Sequence, residues 1–254
     1  MSQAGSSSIK SRLDAAWYPE FEGEWDARAF RQRVLKVIGP QTRMLDIGAG
    51  RGATPHMQYK GLVAELVGVD VDPVVLTNTQ VDRAVHTPDG RLTALESDYF
   101  DVVISKDVLE HVEDPETFFR EVARVLKPGG LFLGKTPNGT HYVPIIARLT
   151  PLSLHKTFNK LRGRDVVDTF PTRYRANSRR ALSRLARASG LEVVAVEFQE
   201  GRPEYLRFHP LPYFLGMAYE RTVNALGLNA LKAVIYVTLR TASEFGARPN
   251  TRGV

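Results

Sequence analysis

The sequence predicts an α/β fold in which a mostly parallel sheet carries helices on both faces. Short apolar runs alternate along the chain with amphipathic helical patterns, which is typical of this class. The composition is globular as well, since 43% of the 254 residues are hydrophobic and 24% are charged. The chain contains no cysteine, which excludes a disulfide framework and a thiolate metal site, and we predict no metal centre.

The first predicted elements are a helix and two strands. Apolar spacing over 28–38 predicts an amphipathic helix that ends at Gly39-Pro40. Strands are predicted over 43–47 and 66–71, and the proline of Asp72-Pro73 is expected to begin another helix.

The second half of the chain continues the alternation. Strands are predicted over 101–105, 131–135, 191–198 and 234–240, and helices over 115–126 and 178–189. Asp114 is placed to cap the first of these helices, and Pro115 suits its first position. Parallel strands alternating with helices bind ligands at their carboxyl ends, where the unusual residues of this sequence lie.

A glycine-rich loop follows the first strand. Gly48, Gly50 and Gly52 occupy alternate positions, where glycine lets the backbone turn sharply and approach a ligand. The loop also fits a loose dinucleotide-binding pattern, in which Asp70 would bind a ribose. Asp46 disfavours a nicotinamide enzyme, because its carboxylate would repel a pyrophosphate and suits an ammonium or sulfonium group.

Five segments of the chain resemble class I S-adenosylmethionine-dependent methyltransferases in order and spacing, and more loosely the bacterial enzymes of quinone and glycan pathways. They are LDIGAGRG at 45–52, GVD at 68–70, FDVV at 100–103, LEHV at 109–112 and RVLKPGG at 124–130. The resemblance implies a Rossmann-like, doubly wound, seven-stranded sheet with an antiparallel last strand and helical lid insertions. It also implies an enzyme with S-adenosylmethionine as its cofactor.

The same resemblance implies a set of cofactor-binding residues. They are Asp46, Gly48, Gly50, Gly52, Asp70, Val71, Asp89, Ser105 and Lys106. Asp46 and the glycine loop would hold the methionine end, Asp70 the ribose hydroxyls, and Asp89 the adenine. Each acid has a structural alternative: Asp46 could accept backbone N–H bonds, Asp70 could cap a helix, and Asp89 could belong to a turn.

Catalysis of methyl transfer depends chiefly on alignment, and a base is needed only for a weakly acidic hydroxyl or a protonated amine. His111 and His141 follow the strands predicted over 101–105 and 131–135, which the resemblance implies are neighbours, and they are the candidate bases. Asp107 would share a face with His111 if that stretch is helical, and would then orient the imidazole. A structural role for His111 is the alternative.

Positive charge is concentrated in one segment. The chain carries a formal net charge of +6, whereas 141–187 alone carries +9 and the remainder −3. Arg173, Tyr174 and Arg175 alternate cationic and aromatic groups there, which suits a planar or anionic substrate. A solvated charged surface is the alternative.

The predicted organisation is a single domain over 1–254. Its parts are a flexible N-terminal arm over 1–25, a cofactor-binding core over 42–137, a basic substrate lid over 138–177 and a helical aromatic insertion over 201–232. Leu215, Tyr219 and Val223 have helical spacing, which is more typical of core than of a flap that contacts lipid.

These observations predict methyl transfer to an oxygen of a small molecule such as a sugar, a quinone or a lipid-linked intermediate. An anionic acceptor and peripheral contact with the inner face of the membrane remain options. The alternatives are an RNA methyltransferase that uses the basic segment, and a non-catalytic binding protein. Nucleic acid is disfavoured, because the sequence shows no RNA-binding module. A cytoplasmic location is expected, since no apolar run reaches the roughly 18 residues of a membrane span.

Overall fold

A seven-stranded sheet forms the centre of the part of the chain that the structure describes. The structure is a computed structural model that describes residues 11–19, 21, 24–149 and 171–243, and only the backbone of 146–149. The strands are β1 (Arg43–Ile47), β2 (Glu65–Asp70), β3 (Arg83–His86), β4 (Phe100–Lys106), β5 (Leu126–Pro137), β6 (Leu191–Gln199) and β7 (Val234–Thr241). Their order is β3-β2-β1-β4-β5-β7-β6. Among these strands, β7 alone runs in the opposite direction to the other six. This confirms the predicted fold class.

Helices cover both faces of this sheet. They are α1 (11–17), α2 (Trp25–Leu35), α3 (Pro115–Val125), α4 (Tyr142–Leu149), α5 (Arg179–Ala188) and α6 (Pro210–Ala225). The side chain of Asp114 accepts a hydrogen bond from the backbone N–H of Thr117 at 3.1 Å, as predicted for a cap of α3. Ser178 caps α5 in the same way through Ala181.

Two apolar cores flank the sheet because neighbouring residues of a strand point to opposite faces. Leu45 and Phe132 belong to the core beneath α3 and α5. Met44 and Leu133, one position away on the same strands, belong to the core that α2 covers with Phe30. The strands are therefore buried on both faces, and their polar residues concentrate at the carboxyl ends.

Some predicted elements differ from the structure. The helix expected after Asp72-Pro73 is a five-residue 3₁₀ helix, Pro73–Thr77. The strand β3 was missed, because four residues, Arg-Ala-Val-His, give too short an alternation to stand out. Between the glycine loop and β2, the chain forms only the 3₁₀ turn Pro55–Met57.

The N-terminal segment is held against the aromatic insertion. Asp14 on α1 accepts a hydrogen bond from Tyr213 at 3.1 Å and pairs with Arg202 at 3.4 Å. Tyr18 is buried and donates to Glu220 at 2.9 Å. Residues 11–19, which we expected in a flexible arm, are therefore folded onto the rest of the chain. Residues 1–10 of that arm and 150–170 of the predicted basic lid lie outside the described residues.

The aromatic insertion forms a helix, and its buried side is only partly the predicted one. Val223 is buried, Tyr219 is half-buried, and Leu215 is 63% exposed. Leu211 and Phe214 are exposed beside Leu215 on α6. No helix within the described ranges combines the length and the apolar character needed to cross a membrane.

Candidate active site

The glycine loop after β1 has a backbone that other residues would strain. Gly48, Gly50 and Gly52 have φ angles of +84°, +50° and +73°, in the left-handed region that glycine favours. A Cβ at Gly48 would lie 2.3 Å from the side chain of Val108, and one at Gly52 would lie 2.2 Å from that of Asn78. At Gly50, a Cβ would have no neighbour closer than 4.0 Å, so the loop leaves open space there.

Two side chains fix the shape of this loop. The carboxylate of Asp70 accepts hydrogen bonds from the backbone N–H groups of Gly50 and Asp72, both at 2.9 Å. Asn78 donates to the carbonyl oxygens of Ala49 and Gly50 at 3.2 and 3.0 Å. A carboxylate has about four acceptor positions, so Asp70 keeps capacity for two ligand hydroxyls. Asn78 was not predicted.

Unpartnered polar atoms collect beneath the loop. Within the described chain, Asp46 Oδ1, Ser105 Oγ and the Tyr59 hydroxyl are buried without hydrogen-bond partners. Burial raises the pKa of Asp46 to about 7, with Lys106 opposing and Asp70 adding to the rise. Buried polar atoms are normally satisfied, so this cluster fits a ligand that brings its own donors, such as an ammonium group.

A small pocket of about 60 Å³ lies beside Asp46 and the glycine loop. Asp46, Gly48, Gly52, Asn78 and Lys106 line it. The pocket, the glycine cradle and the open carboxylate of Asp70 suit a ligand with an amino-acid end and a ribose, and the cofactor-binding roles of these residues stay a prediction.

The predicted adenine end lies at the neighbouring edge of the sheet. Val71 is exposed after β2, and a Cβ at Gly90 would lie 3.6 Å from it, which places the turn after β3 beside this residue. Asp89 is exposed in that turn and accepts a hydrogen bond from the backbone N–H of Arg91 at 3.0 Å. The turn alternative therefore describes its local structure, and an adenine contact stays a prediction.

A second, larger cavity of about 360 Å³ lies beside β4 and β5. Its titratable lining residues are Glu24, Asp26, Asp107, Glu110, Lys135, His141, Tyr142, Glu200, Arg202, Glu204 and Tyr205. Carboxylates thus outnumber lysine and arginine six to two on its walls.

Lys135 lies at the centre of a buried charge cluster in this cavity. Its ammonium group pairs with Asp107 at 2.8 Å and also with Asp26. Lys106 bonds the same Asp107 carboxylate at 3.0 Å and also lines the smaller pocket. Burial raises the pKa of Asp107, but the two ammonium groups outweigh burial and lower it below its ordinary value. The cluster therefore connects the two pockets.

The predicted pairing of Asp107 with His111 is wrong. Asp107 has a φ of +56°, and residues 107–111 form turns instead of a helix. Its carboxylate binds Lys135 and Lys106, while His111 Nδ1 lies 3.2 Å from the carbonyl oxygen of Pro171. Helical spacing cannot bring two side chains together where the backbone is not helical.

His141 and Glu200 meet on the opposite wall of the cavity. His141 is 3% exposed. The centroid of its ring lies 4.1 Å from the ring centroid of Tyr142 and 5.8 Å from that of Tyr219. His141 Nε2 lies 3.5 Å from Glu200 Oε2. Sequence reasoning found His141 and missed Glu200, because a glutamate after a strand carries no local signal of its partner.

Glu110 links three segments below the cavity. Its carboxylate accepts a hydrogen bond from Thr136 at 3.0 Å, and the Thr136 hydroxyl accepts one from Asn177 at 2.6 Å. Its carbonyl oxygen accepts bonds from the N–H groups of Arg173 and Tyr174 at 2.6 and 3.1 Å. Burial, and then the charge of Asp107, raise the pKa of Glu110 to about 7. The sequence did not single out this residue.

The predicted substrate arginines lie outside both pockets. Arg173 pairs with the carboxylate of Glu113 at 3.4 Å, and Arg175 donates to the Glu113 carbonyl oxygen. Tyr174 lies between them with a φ of +52°. Their role toward an acceptor stays a prediction.

The chain is similar to known methyltransferases. The family model "Methyltransferase domain" matches residues 22–196. The ubiquinone biosynthesis O-methyltransferase of Cereibacter sphaeroides is 36% identical over 103 residues, which cover 38% of this chain and 41% of the relative. EEF1A lysine methyltransferase 4 of Mus musculus is 30% identical over 151 residues, which cover 51% and 59%. The chain therefore spans about half the length of these relatives.

A solved structure shares the fold over most of the chain. The S-adenosylmethionine-dependent methyltransferase of Mesorhizobium loti gives a TM-score of 0.52 at 20% identity. The match covers 85% of this chain and 97% of that one.

Replacing Asp70 by alanine is expected to weaken S-adenosylmethionine binding by about 2 kcal/mol or more, the scale of hydrogen bonds to a charged group. Isothermal titration calorimetry measures the affinity. Asp72→Ala is the matched control, because its carboxylate caps the short helix after β2 instead of the glycine loop. Equal affinity of the Asp70 variant and the wild type would contradict the assignment.

Gly50→Val is expected to abolish cofactor binding in a folded protein, because the side chain enters the open space of the loop. Gly61→Val is the control. Gly61 also has a positive φ, +82°, and free space around a Cβ, so it reports the backbone strain alone. Both variants are compared by circular dichroism and calorimetry, and a Gly50 variant that binds normally would show that the loop is only a turn.

Proposed function

Because the chain belongs to this S-adenosylmethionine-dependent methyltransferase family, we propose that it methylates an oxygen atom of a small acceptor bound in the 360 Å³ cavity. A sugar, a quinone precursor and the head of a lipid-linked intermediate are the candidate acceptors. The observation that carries the proposal is the Lys106-Asp107 pair, whose two members line the small pocket and the cavity. An acceptor in the cavity would thus lie next to the cofactor.

The chain's own part in the reaction is to bind the cofactor and the acceptor and to align them. Asp46 and the glycine loop would hold the amino-acid end of the cofactor, and Asp70 its ribose. The cofactor, when bound, supplies a methyl group on a sulfonium, which is already a good leaving group. Alignment in a site screened from water then supplies much of the rate.

The charges of the cavity favour a neutral or cationic acceptor over an anion. Lys135 is paired with two carboxylates, and Arg202 is paired with Asp14 and Glu204. An anion would therefore meet neutralised cations and the remaining carboxylates, whereas hydroxyl and amino groups would find acceptors. The anionic acceptor that the basic segment suggested has less support in this cavity.

An amine is the second candidate acceptor. The carboxyl groups that line the cavity can accept the hydrogen bonds of an ammonium group, and one relative is named a lysine methyltransferase. An ammonium group must lose a proton before it can accept a methyl group, so both candidates call for a base.

A charge-matched acceptor panel tests the proposal. One series, catechol, dopamine and protocatechuate, shares a dihydroxyphenyl ring. The other, glucose, glucosamine and glucuronate, shares a pyranose ring. In each series the first compound is neutral, the second cationic and the third anionic. S-adenosylhomocysteine release is measured, and mass spectrometry locates the methyl group. We expect the anionic member of the accepted series to have a kcat/KM about tenfold or more below the others, from like-charge repulsion. Preference for the anion would contradict the charge argument, and methylation of nitrogen would select the second candidate.

The two histidines are expected to differ in their effect on turnover. His141 lines the cavity, whereas His111 faces the Pro171 carbonyl. His141→Ala should therefore lower kcat by about 10²-fold, and His111→Ala should stay within about threefold of wild type. Cofactor affinity, measured in parallel, should change little in either. Loss of turnover in the His111 variant alone would place the proton acceptor on the loop after β4.

A further inference from the structure

We propose that Glu200 takes the proton of the acceptor and that His141 donates a hydrogen bond to the same acceptor atom. The inference rests on the proposed methyl transfer and deepens it by naming the base. Neither the family match nor the sequence pattern assigns a role to Glu200.

The position of Glu200 suits a base. It follows β6, is 7% exposed and lines the acceptor cavity. The backbone N–H groups of Gly201 and Ala233 hydrogen-bond to its carboxylate and favour the ionised form. Its Oε2 atom has no hydrogen-bond partner within the described chain. This oxygen and His141 Nε2 are both closed to solvent, so an acceptor in the cavity reaches them only after the two side chains move apart.

The other buried carboxylates of the cavity are already engaged. Both oxygens of Asp107 bond the Lys135 ammonium group, and one of them also bonds Lys106. Glu110 accepts the hydroxyl hydrogen of Thr136. Glu200 accepts backbone N–H bonds as well, but its Oε2 atom accepts none, and that unpartnered oxygen makes Glu200 the better base.

The environment of His141 makes it a donor. The N–H of Val143 donates to His141 Nδ1 at 3.4 Å, so the neutral ring carries its own proton on Nε2. Nε2 is the atom that lies 3.5 Å from Glu200 Oε2. A gap of 3.5 Å holds no third atom, so the two side chains must separate before an acceptor oxygen can receive a hydrogen bond from His141 and give its proton to Glu200.

Burial shifts the pKa values of Glu200 and His141 in opposite directions. It raises the pKa of Glu200 to about 8, with Glu220 on α6 adding to the rise and Lys232 before β7 opposing it. Burial lowers the pKa of His141 to about 4. Two tyrosines, Tyr142 and Tyr219, pack against the His141 ring, and burial and then Glu200 raise the pKa of Tyr219. At pH 7 the pair is therefore mostly neutral, and Glu200 becomes a base as the pH rises through about 8.

The step balances in atoms and charge. The acceptor O–H bond breaks and its proton goes to the ionised carboxylate of Glu200. An O–CH₃ bond forms as the S–CH₃ bond of the cofactor breaks, and the electron pair of that bond stays on sulfur as a neutral thioether. The proton on Glu200 is released to solvent after the product leaves.

The test is the pH dependence of Glu200→Gln, which keeps the shape of the side chain and removes its basicity. The probe is catechol with S-adenosylmethionine. For the wild type we expect kcat/KM to rise with pH through about 8 and then level. For the variant we expect kcat to fall about 100-fold and the rise to disappear, while calorimetric affinity for S-adenosylmethionine stays within about twofold.

Two further variants make the result specific. Glu200→Asp keeps a carboxyl group. Its kcat should be lower than that of the wild type, but its kcat/KM should still rise with pH. Glu192→Gln, an exposed glutamate on the same strand, should match the wild type throughout. A Glu200→Gln variant with wild-type kcat and pH profile would overturn the proposal.

Infrared difference spectroscopy covers the case in which the wild type methylates no catechol. The spectrum of the wild type minus that of Glu200→Gln, with S-adenosylhomocysteine bound, isolates the Glu200 carboxyl band as the pH is raised. A protonated band that disappears near pH 8 supports the proposal. A carboxylate that is ionised down to pH 6 would overturn it, because the pair would then be a permanent ion pair. Failure with catechol alone counts against the proposed acceptor and not against Glu200.

Discussion

The buried ammonium group of Lys135 can exist in this fold only because carboxylates surround it. Lys135 is 4% exposed in the middle of the sheet, and water cannot compensate its charge there. Asp26 lies on α2 and Asp107 follows β4. The ion pairs of Lys135 therefore hold α2 and the end of β4 against β5. Removing one partner of a buried ion pair typically costs about 3–5 kcal/mol. The position of Asp107, and with it that of Lys106, follows from this constraint.

The same cluster explains why the two pockets are adjacent. Asp107 adopts a left-handed backbone conformation and its N–H donates to the carbonyl oxygen of Lys135. The chain after β4 is therefore turned across the ends of the strands instead of continuing as a helix. Lys106 faces the cofactor side of this turn, and Asp107 and Glu110 face the acceptor side.

The sequence predicted well those parts of the site that are local in the chain. Asp46, the glycine loop and Asp70 stand at the ends of two strands, and strand ends can be placed from apolar runs. Glu200 and His141 are 59 positions apart, and no local pattern records that they meet. Asn78 reaches back 29 positions to Ala49 for the same reason. The net positive charge of the basic segment likewise gave no sign of the cavity lining, because the cavity collects its carboxylates from three separate stretches of the chain.

The attachment of the N-terminal segment has a consequence for how acceptor choice could change. Asp14 and Tyr18 hold α1 against the aromatic insertion, and Glu24, Trp25 and Asp26 then enter the wall of the acceptor cavity. No residue of this segment lines the small pocket beside the glycine loop, and the hydrogen bond between Gly50 and Asp70 does not involve it. A chain that exchanged residues 1–25 but kept Asp26 beside Lys135 would therefore present a different wall to the acceptor while keeping the cofactor pocket. In evolutionary terms, the two halves of the reaction can diversify at different rates within one domain.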